Sequence, residues 1–190
     1  MIILMMASIT IYVCSNPGLI FEKFEQYSKD KHEIELYNRS EHDAELKREL
    51  PYFLNKYHAD RVFIIQYHNG TKDWQHGTMR FELCAEHTTS IKQHYDDFNL
   101  TWLNMPFYLK EHEYFIGSID ELKNIDNVLH EQLSGYDVKF AAFILLRTNE
   151  GMPSGIFGFT WPEVAIDLNT MREKIHDYLI EDRVSVNKLI

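Results

Sequence analysis

The chain has 190 residues, of which 45% are hydrophobic and 25% charged, the composition of an ordinary globular domain. Lysine and arginine number 19 against 29 aspartate and glutamate, and the net charge of −10 argues against a nucleic-acid partner, which would need a basic surface. Two cysteines are too few for a disulfide scaffold or a cysteine-rich zinc module.

The beginning of the chain is apolar, and Glu22 is its first charged side chain. A helix over residues 1–21 would rise by about 31 Å, which is enough to cross the hydrocarbon core of a bilayer. We therefore predict a transmembrane anchor at 1–21. A cleaved signal peptide is one alternative, although neither a basic leader nor a small-residue cleavage site is visible. A buried first element of a soluble domain is the other.

Residues 22–58 are rich in charge and predict an amphipathic helical stalk. Its basic residues follow the apolar run and none precedes it, so the positive-inside rule favours a cytoplasmic position for the rest of the chain. Near its end, large apolar residues recur at helical spacing. They are Leu46, Leu50, Phe53, Leu54 and Tyr57. Pro51 suits the first turn of a helix, so we expect a break near Leu50.

From Arg61 onward the pattern is typical of strands. Residues 61–67 are β-branched and aromatic almost without interruption, which predicts a central strand, and the Asn69-Gly70 step that follows is a turn signal. Residues 79–86 alternate between apolar and polar, which predicts a half-buried strand with Met79 and Phe81 on one face.

The second half of the chain predicts a helix, a hairpin and a last helix. Asp120 can cap a helix that runs through Leu133 and stops at Gly135. Residues 139–147 and 156–161 are apolar strands around a turn-rich loop, and a helix follows from about Leu168. Short connections between neighbouring strands indicate an α+β fold, an antiparallel sheet with helices on one face.

Three segments of the chain resemble the GAF and PAS families. They are residues 59–69, 134–147 and 154–161, of which the last two look like the GAF hairpin. The resemblance implies a five- or six-stranded antiparallel sheet at 59–190 with flanking N- and C-terminal helices. It says little about function, because one fold serves many functions.

The layout of the whole chain is also similar to the T-even phage holin family. Residues 2–13 would be the anchor, 21–57 the amphipathic helix and 155–161 a late aromatic strand. The resemblance implies a single-pass protein of the host inner membrane with a periplasmic globular domain, an orientation opposite to the one that the lysines favour. It further implies that the anchor oligomerises to breach the membrane and that an antiholin-type partner regulates the domain.

The sequence contains no motif that predicts catalysis or metal binding. Its ten histidines include no His-x-x-x-His or His-Glu-x-x-His pair, and there is no phosphate-binding glycine loop or nucleophile elbow. Cys84 on a strand is more typical of a small buried hydrophobe than of a nucleophile. We therefore expect no catalytic residue, no metal and no cofactor, and a protein that is not an enzyme.

The aromatic-rich middle of the chain is the candidate ligand- or partner-binding region, because GAF and PAS domains hold ligands there. The candidate residues are His68, Asn69, Trp74, Phe81, Glu82, Trp102 and Tyr114. The same aromatics could instead complete the core or form a flat protein interface. Two functions follow: a membrane-anchored holin-like lysis protein or, as the alternative, a membrane-tethered GAF/PAS-like sensory module that binds a small ligand.

Overall fold

A six-stranded antiparallel sheet organises the computed structural model, which describes residues 17–70, 73–163 and 168–188. The strands are β1 (Arg61–Gly70), β2 (Asp73–Cys84), β3 (Phe98–Asn99), β4 (Tyr114–Ser118), β5 (Phe140–Arg147) and β6 (Pro153–Trp161). The helices are α1 (Pro17–Tyr57), α2 (Met105–His112), α3 (Ile119–Lys123), α4 (Asn127–Ser134) and α5 (Leu168–Asn187), with 3₁₀ turns at Lys92–His94 and Leu100–Trp102.

The sheet is built from two hairpins joined at their inner strands. Its strand order is β3-β2-β1-β6-β5-β4. In the centre, Ile64 of β1 faces Phe81 of β2 on one side and Phe157 of β6 on the other. The predicted antiparallel sheet and both predicted hairpins are therefore confirmed, with β3 and β4 at the edges.

The chain divides into two compact units, Met1–His42 and Asp43–Ile190. In the first unit the described residues, 17–42, are helical, and Tyr27 and Tyr37 are exposed. The six strands described above and helices α2 to α5 belong to the second unit.

The single-pass membrane anchor and the inner-membrane location predicted from the sequence are corrected by the structure. Over the described parts of the chain, no helix has a long enough apolar stretch to span a bilayer. Residues 1–16 of the predicted anchor lie outside the described residues. Residues 17–21 open α1, where charged and exposed side chains begin at Glu22 and Lys23.

Helix α1 continues through Pro51, so the break expected near Leu50 is absent. A proline inside a helix costs about 3 kcal/mol, because it removes one hydrogen bond and crowds the preceding turn. Leu46, Leu50 and Phe53 are buried on the sheet, and each fully buried side chain of this size contributes about 1.5–3 kcal/mol. Burial of the predicted apolar stripe therefore offsets the cost of the proline.

Both faces of the sheet are covered, whereas the sequence led us to expect helices on one face. The C-terminal part of α1 and residue Val186 of α5 pack on one face. The chain between Ile91 and Leu133, apart from the edge strands β3 and β4 that it contains, packs on the other face, and we call it the covering segment. The reason lies in β5, whose side chains from Phe140 to Leu146 are all buried, so that each face of this strand needs a covering layer.

A β-bulge places Met79 and Phe81 on opposite faces, so the prediction that they share a face is wrong. The β1–β2 register shifts between Ile64 and Ile65, whose partners are Phe81 and Met79. An extra residue in one strand reverses the side-chain alternation beyond it. Met79 consequently packs with Ile65, while Phe81 packs with Ile64.

The predicted helix from Asp120 to Gly135 is two helices, α3 and α4, with Asp126 between them. Asp126 is 1% exposed, and its Oδ1 accepts a hydrogen bond from the backbone N–H of Leu129 at 2.9 Å. Its Oδ2 accepts one from the N–H of Met105 at 2.8 Å. The side chain thus caps α4 and ties it to the start of α2, which explains the interruption.

Candidate ligand-binding site

A small apolar cavity lies between the sheet and the chain between Ile91 and Leu133, on the face opposite to α1. Its volume is about 20 Å³, which is room for about one water molecule. It is lined by Phe63, Ile65, Met79, Ile91, Tyr95, Leu103, Met105, Leu129, Leu133, Phe143 and Ile156. Because these walls are predominantly apolar, the cavity favours an apolar molecule over water.

Glycine in β6 allows the Phe63 ring to lie at this face of the sheet. A Cβ atom at Gly158 would lie 2.3 Å from Cζ of Phe63, which no real contact permits. The ring of Phe63 in turn lies 6.2 Å from that of Phe143, centroid to centroid. The position of the Phe63 ring in the cavity wall therefore requires glycine at residue 158.

Two tyrosines bring hydroxyl groups into the same hydrophobic cluster. The Tyr95 hydroxyl donates to Oε1 of Gln132 at 2.8 Å. Tyr67 is only 5% exposed, and its buried hydroxyl has no hydrogen-bond partner within the described residues. Burial raises the pKa of both phenols, so both stay protonated and can donate. An unsatisfied buried hydroxyl costs about 1–3 kcal/mol. Tyr67 belongs to the same cluster but does not line the cavity, so its hydroxyl is a candidate donor only to a molecule that enlarges the cavity.

A buried ion pair fastens the covering segment to the sheet. Arg61 Nε lies 3.1 Å from Oε1 of Glu82, with side-chain exposures of 1% and 3%. The guanidinium also donates to the Thr89 carbonyl at 2.6 Å, and the Glu82 carboxylate accepts from the N–H of Ile91 at 2.9 Å. Because Ile91 lines the cavity, this arrangement sets the position of one cavity wall.

A polar cluster lies beyond the cavity, at the β1–β2 hairpin. His68 Nε2 is 2.8 Å from Oγ1 of Thr78, and His76 Nδ1 is 3.0 Å from Oδ1 of Asp97. The two imidazole rings stack with centroids 6.1 Å apart. In the described ranges no group of three or more His, Cys, Asp or Glu side chains is arranged to hold a metal ion.

The residues predicted to bind a ligand or partner lie in several parts of the fold. His68 belongs to the hairpin cluster, and Glu82 is occupied by Arg61. Phe81 lies on the opposite face from the cavity, and Trp102 is 69% exposed. Tyr114 lies on the edge strand β4, with its ring against His176. Asn69 lies in β1 and Trp74 in β2, but their side chains are outside the described part of the structure.

The residues that do line the cavity are mostly aliphatic and were not identified from the sequence. Leu129 and Leu133 belong to the apolar stripe of the predicted helix, which is the one local signal that marked them as buried. Ile91 and Leu103 come from irregular chain, and Met105 is the first residue of the short helix α2; in neither place does periodicity show which residues face inward.

A second candidate site is a groove between β4 and α5. Two cavities of about 230 and 450 Å³ share Tyr114, Ile116 and His176 in their walls. Arg172 crosses one end, donating to the Ile116 carbonyl at 3.2 Å and pairing with Glu121. At the other end Glu113 binds the guanidinium groups of Arg147 and Arg183.

Comparison with solved structures relates this architecture to light-sensing domains. A far-red cyanobacteriochrome photoreceptor aligns with a TM-score of 0.56 at 10% identity, over 86% of this chain and 97% of that one. A red/green cyanobacteriochrome in its green light-absorbing state gives a TM-score of 0.60 at 16% identity, over 77% and 92% of the two chains. The blue-light-absorbing form of the Thermosynechococcus elongatus PixJ GAF domain gives 0.57 at 10% identity, over 81% and 89%.

The fold is GAF-like. At such low identity the likeness establishes the fold alone, and it confirms the predicted GAF-like antiparallel sheet with helices. No family model matches the sequence, and no curated protein does. The predicted membership of the T-even phage holin family, with its role in host cell lysis, is wrong, because the similar structures are GAF domains of photoreceptors and no described helix can span a membrane.

Proposed function

We propose that the protein is a sensory module that binds a small, predominantly apolar molecule between the sheet and its covering segment. The observation that carries this proposal is the apolar cavity, together with the unpartnered Tyr67 hydroxyl in the same hydrophobic cluster. The role consists of binding without catalysis. The similar solved structures are photoreceptors, which supports a sensory role for this fold.

The cavity volume sets a requirement on the mechanism. Room for about one water molecule is too small for a metabolite, so a ligand must bind a more open form of the domain. Met79 and Met105 are flexible side chains that can repack around a ligand. A ligand that prefers the open form shifts the population toward it, and the covering segment then moves against the sheet. This movement is the proposed signal.

The experiment is a thermal-shift screen of the full chain against apolar and aromatic metabolites, repeated with the cavity-filling variant Leu133→Phe. We expect a ligand at a hundredfold excess over its Kd to stabilise the wild-type protein by about 2.7 kcal/mol. Leu133 is 1% exposed and lines the cavity, so a larger ring there should abolish the stabilisation.

The matched control is Val128→Phe, which adds a ring to the same helix at a position that is 45% exposed. This variant should keep the full ligand response. A ligand whose effect survives Leu133→Phe binds elsewhere, and either that result or a screen without any stabilising compound would contradict the proposal.

A further inference from the structure

The outer side of β4 is partly open. The Ile116 carbonyl accepts from Arg172 Nε at 3.2 Å, and the Ser118 N–H donates to Glu121 Oε2 at 2.8 Å, so both groups point away from β5. Backbone groups of successive strand residues alternate in direction, so the N–H and C=O of Tyr114 and the N–H of Ile116 also point outward. Within the described residues these three groups have no hydrogen-bond partner.

The groove between β4 and α5 runs beside these open groups. Ile116 and the buried Ile144 form its apolar base, and Ile180, which is 38% exposed, faces them from α5. Toward the other end of the groove, Glu173 and Asp177 line the wall. The groove thus offers an apolar position and an acidic position along one strand edge.

The charges in the groove favour a basic occupant. Arg172 is paired with Glu121, and Arg183 is paired with Glu113. The charges of both arginines in the groove are therefore already balanced by carboxylates. Glu173 and Asp177 are exposed and form no ion pair with lysine or arginine within the described chain. The net charge of −10 acts in the same direction.

We propose that the β4 edge docks an extended peptide segment of a partner protein as a seventh strand. The partner's backbone would pair with the open groups of Tyr114 and Ile116. On the side facing α5, an aliphatic residue would rest on Ile180 and a basic residue two positions away would meet Glu173 and Asp177. Main-chain pairing supplies affinity in this mode of recognition, and the alternating side chains supply specificity. The proposal concerns a different surface from the ligand cavity and does not depend on it.

The probe is the synthetic peptide Thr-Lys-Thr-Ile-Thr-Lys-Thr, acetylated and amidated, whose symmetry suits either strand direction. Titration into the isotope-labelled full chain should shift the amide NMR signals of Tyr114 and Ile116 first. A twin with glutamate in place of lysine should bind about tenfold more weakly, and the double variant Glu173→Lys with Asp177→Lys should reverse this preference.

Ile116→Pro is the decisive variant, because it removes an outward N–H and leaves the β4–β5 ladder intact. We expect it to weaken peptide binding about tenfold, whereas the control Ile116→Val, which keeps the N–H, should change it less than about threefold. Equal binding by the proline variant would overturn the proposal. So would signal shifts that avoid β4 in the wild-type protein.

Two further measurements keep the test decisive. If Ile116→Pro fails to fold, a peptide N-methylated at alternate backbone nitrogens removes the same hydrogen bonds from the partner's side, and undiminished binding of that peptide would contradict edge pairing. If the wild-type chain dimerises with rising concentration and the same β4 signals shift without peptide, the edge pairs with a second copy, and the partner-peptide proposal is wrong.

Discussion

At the scale of single residues, the surroundings decide what a charged side chain does. Glu82 looked from the sequence like a ligand-binding group, yet its carboxylate is buried against Arg61 and accepts the N–H of Ile91. We predict that Glu82→Gln destabilises the protein by about 3–5 kcal/mol, because the Arg61 guanidinium is then buried without a counter-charge. Urea unfolding monitored by circular dichroism measures the change.

Glu86→Gln is the matched control for this prediction. The Glu86 side chain is 92% exposed, so the same loss of charge should change the free energy of unfolding by less than about 0.5 kcal/mol. Similar unfolding midpoints for the two variants would show that the Arg61–Glu82 pair does not hold the covering segment.

At the scale of elements, the Glu113 carboxylate links α5 to the sheet, because it pairs with Arg183 of α5 and with Arg147 of β5. Hydrogen bonding from Arg147, with a further hydrogen bond from Arg183, lowers the pKa of Glu113 below 4.5. A lowered folded-state pKa gives stability that is present above pH 4.5 and is lost as the pH falls through the folded-state value. Glu113 is 42% exposed, so we expect a contribution below about 1 kcal/mol.

Comparison of the wild-type protein with Glu113→Gln, by thermal unfolding between about pH 6 and about pH 3, tests this prediction. The wild-type protein should be the more stable at the upper pH, and the difference should shrink as the pH falls below 4.5. A difference that stays constant across this range would show that the Glu113 ion pairs do not account for it.

Sequence patterns predicted the elements better than their ends and orientations. Residues 61–67 and 139–147 predicted strands correctly, because β-branched and aromatic runs are local signals. The interruption at Asp126 was not predicted. The Asp126 carboxylate accepts a hydrogen bond from the backbone N–H of Met105, which is 21 residues away in the chain and gives no local signal. The bulge that separates Met79 from Phe81 has no sequence signal at that position either.

At the scale of the whole molecule, the second unit contains both hydrophobic clusters. Their first residue is Leu46, and every strand follows it. We therefore predict that residues 43–190 fold without residues 1–42 and unfold at the same urea concentration as the full chain, since the buried apolar area decides stability. A clearly lower midpoint for the shorter chain would mean that the first unit contributes to the stability of the second.

The sequence by itself determined the α+β class, the two hairpins, the antiparallel sheet and the apolar stripe of α1. Each of these depends on the period of neighbouring side chains, which is a local property. Only the tertiary structure decided that both sheet faces are covered, that Glu82 is bound to Arg61 and that irregular chain closes the apolar cavity. These features join residues far apart in the chain, and one β-bulge is enough to exchange the faces that a strand's side chains occupy.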